Sequence, residues 1–188
     1  DTTLANSYTA HLGTTYYRTF SNRQGAGNDP HSVSEMPHFR TPHLHIDSTY
    51  ATWLNGHATP IVGITTDFDG QVRNVSTPDI GADEFTGSAP TLRRVPSQYA
   101  TIQAAINASA HGDTVLVSDG TYYENIRFKG KKIVVASTYA TTGDTSHISH
   151  TIIDGSASTD PDSASVVYFI SGEDTNSVLC GFTVRGGR

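Results

Sequence analysis

Five carboxylates crowd one short stretch of the chain: Asp67, Asp69, Asp79, Asp83 and Glu84. Hard oxygen donors beside a glycine turn are what Ca²⁺ favours, and Asp67-Phe68-Asp69-Gly70 begins such a spacing. The rest of an EF-hand loop, including its closing Glu, does not follow. The competing reading is the stronger one: Asp67 and Asp69 hold the turn by accepting backbone hydrogen bonds, while Arg73 pairs with Asp79 or Glu84. Calcium is the one cofactor this cluster suggests, and no other is implied.

Nine histidines raise the question of a softer metal. His43 and His45 would point the same way on a strand, with His38 beyond a proline-containing bend. Zn²⁺ asks for three or four convergent ligands with hydrogen-bonded supports, and the sequence supplies two plausible neighbours and a weak third. Surface roles are favoured for these, and for His147 and His150 in the loop before Thr151. Cys180 is the single cysteine, so no intrachain disulfide forms. Within Val178-Leu179-Cys180-Gly181-Phe182 it reads as a small buried residue, since neither a nearby His nor a positive environment marks a reactive thiol. Asp154, Glu173 and Asp174 could meet on stacked corners, and turn formation explains them equally well.

The elements that would position these groups are mostly short strands. Thr114–Val117, Asn125–Phe128, Lys132–Ser137, Thr151–Ile153, Val166–Ile170 and Val178–Val184 are rich in β-branched residues. Turn-forming pieces such as Ser118-Asp119-Gly120, Lys129-Gly130-Lys131 and Asp154-Gly155 separate them. One helix is expected over 101–110: Ile102, Ala105, Ile106 and Ser109 form an apolar stripe, Thr101 suits the N-cap and Gly112 the left-handed end. No helix-length pattern lies between the strands, which argues against βαβ crossovers. Links of this kind suit stacked repeats of three strands each, with the helix as a lid.

Composition sets outer limits. Charged residues are only 16% of the 188 and the net charge is −6, so neither a nucleic-acid interface nor an anionic membrane surface finds the basic stripe it needs. No apolar run is long enough to insert in a membrane. Recurrent Val, Ile, Tyr and Phe clusters argue for folded structure over disorder.

In order and spacing, these pieces resemble a known family. Val95-Pro96, Thr101-Ile102-Gln103-Ala104-Ala105-Ile106, Gly112-Asp113-Thr114-Val115-Leu116-Val117, Gly120-Thr121-Tyr122-Tyr123-Glu124-Asn125-Ile126, Thr151-Ile152-Ile153-Asp154-Gly155 and Gly181-Phe182-Thr183-Val184-Arg185-Gly186-Gly187 carry the likeness. Residues 95–187 resemble the N-terminal cap and first coils of right-handed parallel β-helix proteins of the pectate-lyase-like superfamily. Residues 29–85 resemble the closing segment of such proteins, through Thr66-Asp67-Phe68-Asp69-Gly70-Gln71-Val72-Arg73 and Asp79-Ile80-Gly81-Ala82-Asp83-Glu84-Phe85. The resemblance implies an all-β chain of right-handed parallel β-helix coils with one short capping α-helix. Its domains would be closing coils over 1–86, a linker over 87–94, and a cap with first coils over 95–188.

That order, an ending before a beginning, directs the functional expectation. Residues 1–86 lack an opening cap and 178–188 a closing one, so open coil ends would stack head-to-tail between chains. Val178, Leu179, Phe182 and Val184 are the expected assembly edge, and the partners are other copies or flanking β-helix segments. The alternative is a polysaccharide-binding or polysaccharide-processing module whose catalytic coils are absent from this chain, so no catalytic residue is assigned. If the chain is an enzyme, a polysaccharide lyase or glycoside hydrolase is implied. Either reading suggests a secreted or surface-displayed protein of bacterial or archaeal origin.

Overall fold

The computed structural model describes residues 10–12, 15–17, 33, 37–40, 45–158 and 165–187. The candidate ligand His43 lies outside the described residues. The chain divides into two compact units, one of residues 1–46 and 53–85, the other of 47–52 and 86–188.

In the first unit, β1 (Ala10–Leu12) pairs antiparallel with β2 (Thr15–Tyr17), and β3 (Phe39–Arg40) antiparallel with β4 (His45–Ile46). An antiparallel bridge joins Thr66 to Val72 across the Asp67–Gln71 turn. Here the Ile, Val and Phe side chains of residues 61–75 stay largely on the surface, and of the described apolar residues Ile46, Leu54 and Pro78 are the buried ones.

The second unit is built from parallel strands. β5 (Leu92–Val95), β6 (Thr114–Val117), β9 (Val134–Ser137) and β12 (Val178–Cys180) form one sheet in the order β12-β9-β6-β5. β7 (Gly120–Tyr122), β10 (Thr151–Asp154) and β13 (Thr183–Arg185) form a second, and β8 (Ile126–Arg127) with β11 (Val167–Tyr168) a third. From β6 onward the chain deals its strands to the three sheets in rotation, and each new strand pairs parallel with the one three places earlier. The register aligns like with like: Val115, Val135 and Leu179 stand in one column, Tyr122, Ile153 and Val184 in another.

Alternation sends one face of each strand inward. Val115 and Val117 on β6 join Ile126, Phe128, Ile133, Val135 and Ile153 in a single core, each contributing about 1.5–3 kcal/mol by leaving water. The helix α1 (Ile102–Ala108) adds Ile102, Ala105 and Ile106 and packs on β5, β6 and β8. Its start is doubly held: the Thr101 side chain accepts the Ala104 N–H at 3.1 Å, and the Glu124 carboxylate accepts those of Ile102 and Gln103 at 2.9 Å each. At its other end the Lys131 ammonium donates to the carbonyls of Ile106, Asn107 and Ser109. Gly112 follows with φ +89°, and a Cβ there would lie 2.5 Å from the Ala51 carbonyl oxygen, so both conformation and space demand glycine.

The expectation of an all-β chain with one capping helix is corrected. Two further helices, α2 (Tyr139–Thr142) and α3 (Ser146–His150), stand between β9 and β10 and pack on β9, β10 and β13. The segment lacks an apolar period and reads as loop. It is made helical by local bonds such as Gly143 N–H to Tyr139 C=O at 2.8 Å, with Gly143 in the left-handed cap position. The architecture is therefore mixed α/β with parallel sheets, and not the all-β coils of a β-helix. The described strands of residues 1–86 pair antiparallel, each with a partner near it in sequence. The span Val178–Val184 is two strands rather than one, divided at Gly181 with φ +80°. β5 begins inside the expected linker, and β7 begins at Gly120 of the expected Ser118-Asp119-Gly120 turn.

Candidate functional sites

Each unit holds one arrangement worth chemical scrutiny. In the first, the acidic stretch folds into a set of clips. Asp67 Oδ1 accepts the N–H of Asp69 and Gln71 at 3.2 and 2.7 Å, and its Oδ2 accepts that of Glu84 at 3.0 Å. Asp79 accepts from Gly56 at 2.6 Å and from Phe85 at 2.7 Å. Glu84 accepts from Asn74 and Asp79, and its carboxylate stands 3.4 Å from Arg73 Nε. Arg73 also donates to the carbonyls of Gly81 and Asp79. These three carboxylates thus tie together turns distant in sequence, and their oxygens are engaged by backbone donors.

The electrostatics follow from burial against bonding. Burial works to raise the Asp67 pKa, but the N–H groups of Glu84, Gln71 and Asp69 outweigh it and hold the carboxyl below the usual range. At Asp79 burial dominates over the N–H groups of Phe85 and Gly56, with Glu84 adding repulsion, and the carboxyl is pushed up.

Asp83 and Asp69 are the members turned elsewhere. Asp83 Oδ2 accepts the Ile46 N–H at 2.9 Å, and Oδ1 stands 3.2 Å from His45 Nδ1. Asp69 Oδ2 stands 3.8 Å from His45 Nε2. The five-carboxylate calcium cluster of the sequence therefore separates into three turn clips and a pair gathered around an imidazole. His45 was visible in the sequence only as a neighbour of His43. Its meeting with Asp69 and Asp83 depends on chain segments separated by more than twenty residues, which no local spacing records. His57 bonds its own Asn55 carbonyl at 2.6 Å, and His147 pairs with Asp119 at 2.7 Å.

In the second unit the carboxylates named as possible corner neighbours serve separate turns. Asp154 accepts from Ser156 N–H and from Arg185 Nε at 2.9 and 2.8 Å. The Ser156 side chain first, then the Ser156 N–H and Arg185, draw its pKa down to about 2. Glu173 accepts from Gly130 and Ser171, and Asp174 pairs with Lys132 at 3.0 Å. Asp113 belongs to the Gly112-Asp113-Thr114-Val115-Leu116-Val117 stretch. It is buried, and it binds Arg93 through Nε and Nη2 while accepting the N–H groups of Thr91 and Ala110.

The edge residues come together at one end of the sheets. β11, β12 and β13 each end the order of their own sheet and pair on one side only among the described residues. Leu179 and Phe182 lean on the core from its rim, Val178 and Cys180 are half-buried on β12, and Val184 is 45% exposed. Phe169 stacks on buried Phe128 at 4.2 Å yet remains 44% exposed. No described helix is long and apolar enough to cross a membrane. No family model matches the chain, and no curated protein or solved structure matches it either.

Proposed function

We propose that the protein is a secreted or surface-displayed structural module that self-assembles by strand addition. A further parallel layer, from another copy stacked head-to-tail or from a flanking segment, would pair with β11, β12 and β13. The carrying observation is that the inward columns stop unfinished. Val115 and Val135 are fully buried while Leu179, the next in line, is half-buried; Ile153 is fully buried while Val184 is exposed; Phe128 is buried while Phe169 is exposed. Each terminal side chain packs on a neighbour in the layer below, and among the described residues no strand pairs with the outer edge of β11, β12 or β13.

The opposite end differs. There α1 covers β5, β6 and β8 with a buried apolar face, so addition is directed to one end. A contact between unlike surfaces of identical chains propagates unless it closes into a ring.

Sedimentation velocity over a concentration series tests this. The chain should associate with rising concentration, and Val184→Lys with Ile170→Lys should keep it monomeric, because both positions are exposed and an edge lysine opposes pairing. A wild-type chain that stays monomeric at tens of micromolar overturns the reading, as does a double variant that assembles unchanged.

A further inference from the structure

We propose that Asn74 is an acceptor for an N-linked glycan, and that the glycan lies over the apolar groove beside it. The pattern Asn-x-Ser/Thr, with a residue other than proline in the middle, is the one such glycans require. It occurs at Asn74-Val75-Ser76 and again at Asn107-Ala108-Ser109. By sequence the two are equal. Their surroundings are not.

Asn74 and Ser76 are both exposed, in a bend of the first unit. Asn74 Oδ1 accepts the Ser76 N–H at 3.0 Å, the Ser76 hydroxyl at 3.1 Å and the Thr77 N–H at 3.0 Å. Two of these donors are backbone N–H groups, which only the amide oxygen can accept, so the remaining atom of the amide is Nδ2. Nothing among the described residues hydrogen-bonds to Nδ2. The Asn74 N–H is held in turn by Glu84 at 2.9 Å, which fixes the bend. Asn107 sits instead in the last turn of α1. Its Oδ1 accepts from Gln103 Nε2 and Lys129 Nζ at 3.1 and 2.8 Å. The Ser109 hydroxyl is buried and donates to the Ala105 carbonyl at 2.8 Å. A transferase that must read the hydroxyl and reach the amide finds both in the bend, whereas at α1 the hydroxyl is closed off.

The groove is a separate observation. A cavity of about 580 Å³ is lined by Ile61, Val62, Ile64, Val72 and Val75, and Asn74 lines it with them. Contiguous exposed apolar surface of this kind marks a place that something covers. Sugar rings present C–H faces as well as hydroxyls, and a glycan tethered at Asn74 meets the groove at high effective concentration. In the transfer itself, Nδ2 attacks the anomeric carbon of a polyprenyl-diphosphate-linked sugar. The bond from that carbon to the diphosphate oxygen breaks, the polyprenyl diphosphate leaves with the electron pair, and one amide proton passes to a base of the transferase. The inference rests on the secreted or surface-displayed part of the reading above, because such glycans are added during export, and is independent of strand addition. An assay in vitro keeps the two apart, since it supplies the transferase whether or not the chain is exported.

The folded full chain is incubated with a polyprenyl-diphosphate-linked oligosaccharide and a single-subunit oligosaccharyltransferase that reads only Asn-x-Ser/Thr. A short acceptor peptide establishes that the enzyme is active, and peptide mass spectrometry maps the product. Wild type and Asn107→Gln should carry a single glycan at Asn74. Asn74→Gln and Ser76→Ala should lose it, and Ser76→Thr should keep it. Fluorescence of an apolar dye bound to the chain should fall once the glycan is attached. A folded chain left unmodified while the peptide reacts overturns the acceptor assignment, as does modification at Asn107 in preference to Asn74. Dye binding unchanged by the glycan overturns its seat over the groove. If circular dichroism shows that Asn74→Gln does not fold, the contrast between Ser76→Ala and Ser76→Thr carries the test.

Discussion

The two units hold their backbones by opposite means. The second buries a continuous apolar core between three parallel sheets and closes one end with α1. The first leaves Ile61, Val62, Ile64, Val72 and Val75 largely exposed and fastens its turns with Asp67, Asp79 and Glu84. Repeated hydrophobic columns suit a structure that extends by adding layers, because each layer presents the surface that the next one needs. Carboxylate clips suit a set of irregular turns that must each be fixed individually. The edge strands β11, β12 and β13 belong to the second unit, and the group of His45, Asp69 and Asp83 to the first.

The comparison can be broken by mutation because the only tryptophan, Trp53, lies in the first unit. Its fluorescence reports that unit, while far-ultraviolet dichroism is dominated by the sheets of the second. Phe128→Ala should have the largest effect, costing the second unit about 3–5 kcal/mol through the cavity it leaves. Denaturant unfolding should show the loss in the dichroism and not in the Trp53 signal. A matching shift of both would show that the two units do not unfold separately. Asp79→Ala should do the reverse, destabilising the Trp53 transition by about 2–3 kcal/mol as the Gly56 and Phe85 N–H groups lose their acceptor. Glu124→Ala sharpens the picture of the lid: loss of the carboxylate at the start of α1 should cost about 1–2 kcal/mol, read in the dichroism.

Acid provides the gentlest probe. The folded pKa of Asp154, about 2, is below the ordinary 3.8, so its contribution is present above 3.8 and is lost as pH falls toward 2. Asp79 has the opposite sign: its raised pKa favours the fold below 3.8, and that contribution disappears as pH rises through the folded value. Wild-type stability by dichroism should therefore decline from about pH 4 to pH 2, and Asp154→Asn should flatten the slope. An unchanged slope would remove the Asp154–Arg185 clip from the account of the second unit.

Much of the second unit was legible locally. Thr114–Val117 matches β6 residue for residue, and the Ile102, Ala105, Ile106 stripe is the buried face of α1. Both follow from periodic burial, which a sequence records directly. The helices over Tyr139–Thr142 and Ser146–His150 left no such record, being held by caps and by packing on β9, β10 and β13. Cys180 shows the same limit from the other side: its apolar neighbours suggested burial, but β12 is an edge strand and the residue is only half-buried.

The acidic cluster marks where local reading ends. By itself the sequence determined that carboxylates and an arginine would cluster around the Asp67–Gly70 turn, since residue type and turn propensity are local properties. Only the tertiary structure decided which oxygens meet backbone donors and which turn toward His45, because that depends on the approach of segments far apart along the chain. The same holds for the open end of the sheets. Alternating Val, Ile and Phe determined the columns, but which column members are left without a neighbour is a property of layer order, and only the assembled fold expresses it.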